Sequence, residues 1–273
     1  MEYFTTTSKP SRRAVDCVII GVFNRNILGN SAADVDAASG GEIRGLIKSG
    51  DISSKLGSCS MLPGLPGVKA RRIAVVGLGK KSELKARHFR KAVGAAAAAV
   101  ARTRAKQILN CLTLEDVDGA SPYYLSRHST QVINEALYRF TRMKSGRKPR
   151  GSALSKVGLS IAKRGDAAQA ARGAEHGDAI AAGVSLARDL GNLPANVCTP
   201  SYLAREARKL AKGNGKLTTR IVNEPEMKRL GMGSLLSVSR GSQEPAYLIH
   251  LTYKPRTRAK GRIALVGKGL TFD

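Results

Sequence analysis

The sequence has few negative charges and no long apolar stretch. Lysine and arginine number 46 against 20 aspartates and glutamates in 273 residues, which gives a net charge of +26. No stretch approaches the roughly 18 consecutive apolar residues of a transmembrane helix. The first residues, Met1 to Pro10, lack the apolar region of a secretory signal peptide. Tryptophan is absent. We therefore expect a soluble, cytoplasmic protein with no membrane partner.

The four cysteines stand too far apart to form a metal or disulfide framework. Cys17, Cys59, Cys111 and Cys198 include no C-x-x-C pair. This spacing fits neither a zinc ribbon nor a compact disulfide-rich fold. Each cysteine falls in or beside an apolar run, which predicts buried free thiols in a reducing compartment.

The positive charge is distributed unevenly along the chain. Residues 69–107 hold twelve basic residues and one acid, Glu83, and residues 136–165 hold nine basic residues and none that is acidic. Such a field attracts polyanions such as DNA. The alternative is a solvated basic surface whose acidic counterpart lies elsewhere in a longer protein or in a neighbouring subunit. The residues proposed to touch DNA phosphates are Lys80, Lys81, Arg147, Lys148 and Arg150.

Residues 1–165 alternate between strand and helix patterns. This alternation predicts an α/β domain with a mostly parallel sheet. Strands are predicted at 15–22, 58–62, 72–76, 107–112 and 156–162, helices at 34–49, 85–106 and 130–143, and a basic loop at 144–151.

The turn Gly77-Leu78-Gly79-Lys80 follows the predicted strand at 72–76. Glycines between a strand and a helix can hold a phosphate group. The turn lacks the third glycine of the dinucleotide-binding fingerprint and the spacing of a P-loop. We therefore favour a structural turn over a phosphate site.

The second half of the sequence begins with one long helix, predicted at 166–191. About 25 residues at roughly 1.5 Å each span nearly 40 Å, enough to link two domains. Thr199 and Pro200 then open a helix that extends to Lys212, and Asn223 with Glu226 resembles a capping box. Further strands are predicted at 217–222, 247–253 and 263–266. His176 and His250 are interpreted as structural or surface histidines.

A lysine and an aspartate follow the last predicted strand, 263–266, which should be buried on both faces. Lys268 stands between Gly267 and Gly269, and Asp273 lies five residues further on. Open α/β sheets bind their ligands at the carboxyl ends of parallel strands. From composition alone, a surface loop with a solvated lysine is the alternative.

Three ordered segments resemble the leucyl aminopeptidase (cytosol aminopeptidase) family of bacterial type, whose members are dinuclear metallopeptidases. The segment Val266-Gly267-Lys268-Gly269-Leu270-Thr271-Phe272-Asp273 is similar to the opening of the family's metal-binding signature. The other two are Asp189-Leu190-Gly191-Asn192-Leu193-Pro194-Ala195-Asn196-Val197-Cys198-Thr199-Pro200, and the strand at 247–253 together with Met232-Gly233-Ser234.

The resemblance implies an architecture and an activity. Its architecture is an N-terminal α/β domain at 1–165, a linker helix at 166–191 and the beginning of an α/β catalytic domain at 192–273. The activity is removal of N-terminal residues from peptides by two-metal-assisted attack of water. The complete protein would hold two Mn or Zn ions and form a homohexamer. Lys268 corresponds to a lysine ligand of one metal, and Asp273 to a carboxylate ligand that bridges or faces both.

The family's remaining metal-binding residues do not occur in this sequence. One lysine and one aspartate cannot hold two divalent cations, because each cation needs several ligands. We therefore expect an N-terminal portion, truncated in the first metal motif, that is inactive alone and exposes apolar surface from residue 192 onward. Because some bacterial members of the family bind DNA, a DNA-binding accessory or regulatory protein is the alternative function. An inactive scaffold retained for assembly is a third.

Overall fold

The computed structural model describes residues 1–146, 151–257 and 261–271. The chain forms two compact units, Met1–Ala187 and Arg188–Asp273.

The first unit is built on a mostly parallel sheet. Its strands are β1 (Glu2–Thr6), β2 (Cys17–Phe23), β3 (Ile27–Leu28), β4 (Cys59–Pro63), β5 (Arg72–Gly77), β6 (Gln107–Asn110) and β7 (Lys156–Ser160). Their order is β1-β7-β6-β2-β5-β4, with β3 paired to β2. Five strands run parallel, while β4 and β3 are antiparallel to β5 and β2. The predicted α/β fold with a mostly parallel sheet is confirmed, and β1 is an edge strand that the apolar pattern did not reveal.

Helices cover both faces of this sheet. They are α1 (Asn30–Ala38), α2 (Glu42–Lys48), α3 (Ala86–Ala101), α4 (Pro122–Leu137) and α5 (Ala167–Asn192). Successive residues of a strand point to opposite faces. Ile19 and Phe23 of β2 therefore pack in the core cluster that includes residues of α3 and α4, and Ile20 packs in the cluster that includes α1 and α2.

The helix predicted at 34–49 is wrong, because the chain forms two helices there. Gly40 and Gly41 separate α1 from α2, with φ angles of +71° and +92°. These angles lie in the left-handed region, which glycine adopts at little cost and which ends a helix.

The helix predicted at 130–143 is displaced along the chain, since α4 covers Pro122–Leu137. The hydroxyl of Ser121 accepts a hydrogen bond from the amide of Tyr124 at 3.2 Å. Pro122 suits the first helical position because its missing N–H has no partner to lose there. Tyr138 is extended, with ψ of 134°, and ends the helix.

The second unit contains three helices and a small sheet within the part that the structure describes. The helices are α6 (Pro200–Lys212), α7 (Glu224–Arg229) and α8 (Gly233–Ser239), and the strands β8 (Leu217–Val222) and β9 (Leu248–Tyr253) pair antiparallel. The predicted N-cap of α6 is present, since Thr199 accepts from the amide of Tyr202. Of the predicted capping box at α7, one half is present: Asn223 accepts from the amide of Glu226, while the Glu226 carboxylate pairs with Arg220.

The buried strand predicted at 263–266 is wrong for this structure. The segment forms no strand, and Ile263, Leu265 and Val266 are 92%, 96% and 97% exposed. A strand buried on both faces needs neighbouring strands and a covering layer. Within the described residues of the second unit, the only sheet is the β8–β9 pair, and it does not include residues 263–266.

Candidate metal-binding segment

Lys268 lies in an extended, exposed segment of the second unit. All residues from 261 to 270 are exposed, and Thr271 is half-buried. A Cβ atom placed on Gly269 would lie 4.0 Å from Cδ1 of Leu203 in α6. The segment therefore approaches α6 beside Lys268, while Lys268 itself is open to solvent.

Asp273, the other predicted ligand, lies outside the described residues. Its position relative to Lys268 therefore stays a prediction. Among the residues that the structure describes, no group of three or more His, Cys, Asp or Glu side chains could hold a metal ion. Because a divalent cation needs several ligands, the described residues do not fit a dinuclear centre by themselves.

Three amide groups of the turn after β5 are engaged within the protein. The amides of Gly77, Leu78 and Gly79 donate to the carbonyl oxygens of Ser58, Val22 and Ser54 at 3.0, 2.8 and 3.0 Å. A phosphate cradle needs such amides to point at the ligand. The use of these three amides within the protein is in line with the preferred interpretation as a structural turn.

The proposed DNA contacts lie only partly within the described residues. Lys80 and Lys81 are exposed after β5, and the ammonium of Lys80 pairs with Glu83 Oε1 at 3.0 Å. Arg147, Lys148 and Arg150 belong to the predicted basic loop and lie outside the described residues.

The cysteines are free, and three of the four are buried, as predicted. Cys59 is half-buried. Burial raises the pKa of Cys17 to about 12 and that of Cys59 to about 11. Since the thiolate is the reactive form, these two thiols are poor nucleophiles.

The sequence patterns did not identify two buried ionisable side chains of the first unit. Glu115 is only 4% exposed, and it accepts hydrogen bonds from Asn30 and Ser31. Burial raises its pKa, and those hydrogen bonds oppose the shift. His128 packs between Arg90 and Arg127. Neither residue belongs to a motif, and the partners of each include residues distant in the sequence.

No helix within the described residues has both the length and the apolar character needed to cross a membrane.

Two family profiles match the chain. The N-terminal domain of the cytosol aminopeptidase family matches residues 19–147, and the catalytic domain of the same family matches residues 185–273.

Individual proteins agree with these profiles. A "probable cytosol aminopeptidase" of Nitrosococcus oceani is 38% identical over 273 residues, which are 100% of this chain and 54% of that protein. The structure of a tomato leucine aminopeptidase mutant superposes with a TM-score of 0.79 at 25% identity, covering 95% of this chain and 52% of that one.

A second solved structure is the bottromycin maturation enzyme BotP in complex with Mn. It superposes with a TM-score of 0.69 at 27% identity, covering 89% of this chain and 46% of that one. The chain thus spans about half the length of the relatives that it matches. Because the two domain profiles of one family together match residues 19–147 and 185–273, the chain belongs to the cytosol aminopeptidase family.

Proposed function

We propose that the protein is a metallo-aminopeptidase that removes N-terminal residues from peptides. The observation that carries this proposal is the match of the family's catalytic domain to residues 185–273. That match includes Lys268 and the predicted position of the first metal motif.

Lys268 and Asp273 are the proposed metal ligands, and the complete site would hold two Mn or Zn ions. A complex of the related BotP with Mn supports a divalent metal. Bound divalent cations polarise a carbonyl group and lower the pKa of water. Because residues 1–271 include no described cluster that could hold a metal by itself, we propose that residues 1–273 alone are inactive.

A chimaera tests the proposal directly. Residues 1–273 would be joined to the part of the Nitrosococcus oceani relative beyond the aligned region. We expect this chimaera to hydrolyse leucyl amides when Mn²⁺ is added, whereas residues 1–273 alone do not. A chimaera that folds but stays inactive with Mn²⁺ and with Zn²⁺ would contradict the assignment.

Two lysine variants of the chimaera separate the proposed ligand from general charge effects. Lys268→Ala should lower kcat/KM by at least about 100-fold. Loss of a residue that only supports a metal ligand already costs up to about 100-fold in activity, and Lys268 is a proposed ligand. Lys254→Ala removes an exposed lysine of the same unit and should leave the activity unchanged. Equal activity of both variants would remove Lys268 from the site.

The remaining features of the proposal concern assembly and location. A homohexamer is proposed from the family resemblance, and a cytoplasmic location is supported by the name of the Nitrosococcus oceani relative. Light scattering of the chimaera measures its mass, and a monomer at micromolar concentration would contradict the hexamer.

DNA binding is the second candidate function. The observation that favours it is the concentration of basic residues at 69–107 and 136–165. DNA binding would involve the first unit and is compatible with peptidase activity in the second.

A further inference from the structure

Two arginine side chains and one histidine meet where α3 packs beside α4 in the first unit. Nη1 of Arg90, from α3, lies 2.6 Å from Nδ1 of His128. Nη2 of Arg127 lies 3.3 Å from Nε2 of the same ring. His128 is only 8% exposed, whereas both arginines are half-buried and can be reached from solvent. Each ring nitrogen of His128 therefore faces a guanidinium group.

No protonation state of the imidazole satisfies both contacts. A guanidinium nitrogen only donates, and a neutral imidazole has one acceptor nitrogen and one N–H group. The shorter contact assigns the acceptor to Nδ1, so Nε2 carries the hydrogen and faces an N–H group of Arg127. A protonated ring would have two N–H groups and no acceptor. The contact between Nε2 and Arg127 therefore places two donors side by side, with no acceptor for either in this contact.

The guanidinium of Arg127 also has no carboxylate partner. Its Nε atom is buried and has no hydrogen-bond partner among the described residues, which include no ion pair of Arg127. The guanidinium carbon lies 5.9 Å from the ring centroid of Tyr123, a contact that leaves the charge in place. By contrast, Nη2 of Arg90 lies 3.7 Å from Oε2 of Glu135. With a neutral imidazole, the cluster therefore keeps a net positive charge.

A negatively charged acceptor satisfies these donors. One phosphate oxygen can accept from two N–H groups whose nitrogens lie 3.3 Å apart, and the other oxygens can accept from the rest of the guanidinium group. We propose that the Nε2–H group of His128 and the guanidinium of Arg127 bind a free phosphate ion, and that Arg90 is a positioning residue that keeps the hydrogen on Nε2.

A phosphate group of DNA offers the same chemistry, but the burial of His128 favours the free ion. A small anion can reach a donor that the protein mostly covers. A duplex holds its phosphates on a wide convex surface, which meets exposed side chains first. The experiment therefore compares the two sources.

Nitrogen NMR of the full chain, with isotopically labelled histidine, first tests the role of Arg90. The chemical shifts of Nδ1 and Nε2 show which nitrogen carries the hydrogen, and the spectrum of His128→Gln identifies the signals of His128. At neutral pH we expect the hydrogen on Nε2 alone in the wild type, and a mixture of both tautomers in Arg90→Gln. A wild-type ring with its hydrogen on Nδ1 would overturn the proposal.

A titration with sodium phosphate at constant ionic strength then measures binding. The Nε2 signal of His128 should shift and saturate with a Kd on the order of 1 mM, as expected from two charge-assisted hydrogen bonds. Sodium chloride should cause no saturable shift. The same concentration of phosphate groups in a short DNA duplex should leave the signal unchanged.

Three variants separate this site from general charge effects. Arg127→Gln should weaken phosphate binding at least about tenfold, because it removes a charged donor. Arg104→Gln removes an exposed arginine of the same unit and should leave the Kd unchanged. Arg127→Lys keeps the charge but not the planar fork of donors, so its affinity should lie between those of the wild type and Arg127→Gln.

The proposal is overturned if phosphate and chloride act alike on the wild type, or if a folded Arg127→Gln binds phosphate as tightly as Arg104→Gln. A shift with duplex DNA and none with free phosphate would also overturn it. If Arg127→Gln does not fold, Arg127→Lys decides the matter: wild-type affinity in that variant overturns the proposal, and a weaker affinity supports it.

Discussion

His128 lies between two arginine side chains, and this position disfavours its protonation. Nδ1 accepts from Nη1 of Arg90 at 2.6 Å, and Nη2 of Arg127 lies 3.3 Å from Nε2. A neutral imidazole has one acceptor nitrogen, which the shorter contact with Arg90 uses. Burial first, and then Arg90 and Arg127, lower the pKa of His128 to about 4, while Glu135 opposes the shift.

The lowered pKa predicts a loss of stability in mild acid. An unfolded histidine has a pKa near 6.5, so the unfolded chain binds the extra proton between about pH 6.5 and 4. The free energy of unfolding should therefore fall as the pH falls through this window, by at most about 1.4 kcal/mol per pH unit from one proton. Urea unfolding followed by circular dichroism measures it.

A variant isolates the contribution of His128 to this slope. His128→Gln keeps a polar side chain that does not titrate, and its slope between pH 6.5 and 4 should be shallower than that of the wild type. His250→Gln removes an exposed histidine from the second unit and controls for the loss of a histidine. A His128→Gln slope equal to the wild type would contradict the prediction.

At the scale of elements, α5 packs closely on α4 because two glycines of α5 face α4. A Cβ atom on Gly173 would lie 2.3 Å from the carbonyl oxygen of Tyr123, and one on Gly177 would lie 2.4 Å from that of Arg127. The hydroxyl of Tyr123 also contacts Nδ1 of His176 at 2.8 Å. His176 is therefore held in the α4–α5 contact, in line with its interpretation as a structural histidine.

The close packing predicts opposite effects for two glycine substitutions in α5. Gly177→Ala must push the helices apart and should lower the free energy of unfolding by about 1–3 kcal/mol. Gly183→Ala has no atom within 4 Å of the new Cβ and should raise it by up to about 1 kcal/mol through helix propensity. Urea unfolding compares the two, and a Gly177→Ala variant as stable as Gly183→Ala would contradict the contact.

The sequence predicted most strands of the first unit, and the apolar runs of β2 and β5 are clear because these strands are buried on both faces. It did not predict β1, whose residues are only half-buried at the sheet edge. The start of α4 was readable from Ser121 and Pro122, and the break between α1 and α2 from Gly40 and Gly41, but the apolar spacing alone does not show either. The predicted strand at 263–266 failed because pairing partners decide a strand, and its apolar pattern does not supply them.

The candidate sites differ in what the sequence could show. Lys268 was found only through the resemblance of its motif to a family, because its exposed, extended segment has no other distinguishing feature. Glu115 and His128 depend on partners 84 and 38 residues away. Their environments form only when the chain folds, so no local sequence pattern identifies these two residues. The linker role of α5 stays a prediction.

At the scale of the whole molecule, the net charge of +26 dominates interactions at a distance. Binding of duplex DNA through five phosphate contacts would weaken with a slope of about −4 to −5 in a plot of log K against log salt. A solvated basic surface predicts no measurable binding at physiological salt. A single salt titration of DNA binding therefore distinguishes the two interpretations.

Two charge-reversal variants decide whether the first unit carries the contacts. One changes five residues to glutamate and lowers the net charge from +26 to about +16, since each change removes two charges. Its residues are Lys80, Lys81, Arg147, Lys148 and Arg150. The matched control makes the same number of changes at exposed basic residues of the second unit, Arg208, Lys212, Lys216, Lys228 and Lys254.

If the first unit binds DNA, only the first variant should lose the salt-dependent slope, because local contacts release the counterions. Fluorescence anisotropy of a labelled duplex at several salt concentrations measures both slopes. Equal losses in the two variants would show that overall charge, and not a surface of the first unit, attracts the DNA. Unchanged binding in the first variant would refute the five proposed contacts, whereas no measurable binding of the unmodified protein at physiological salt would show that the basic residues form a solvated surface.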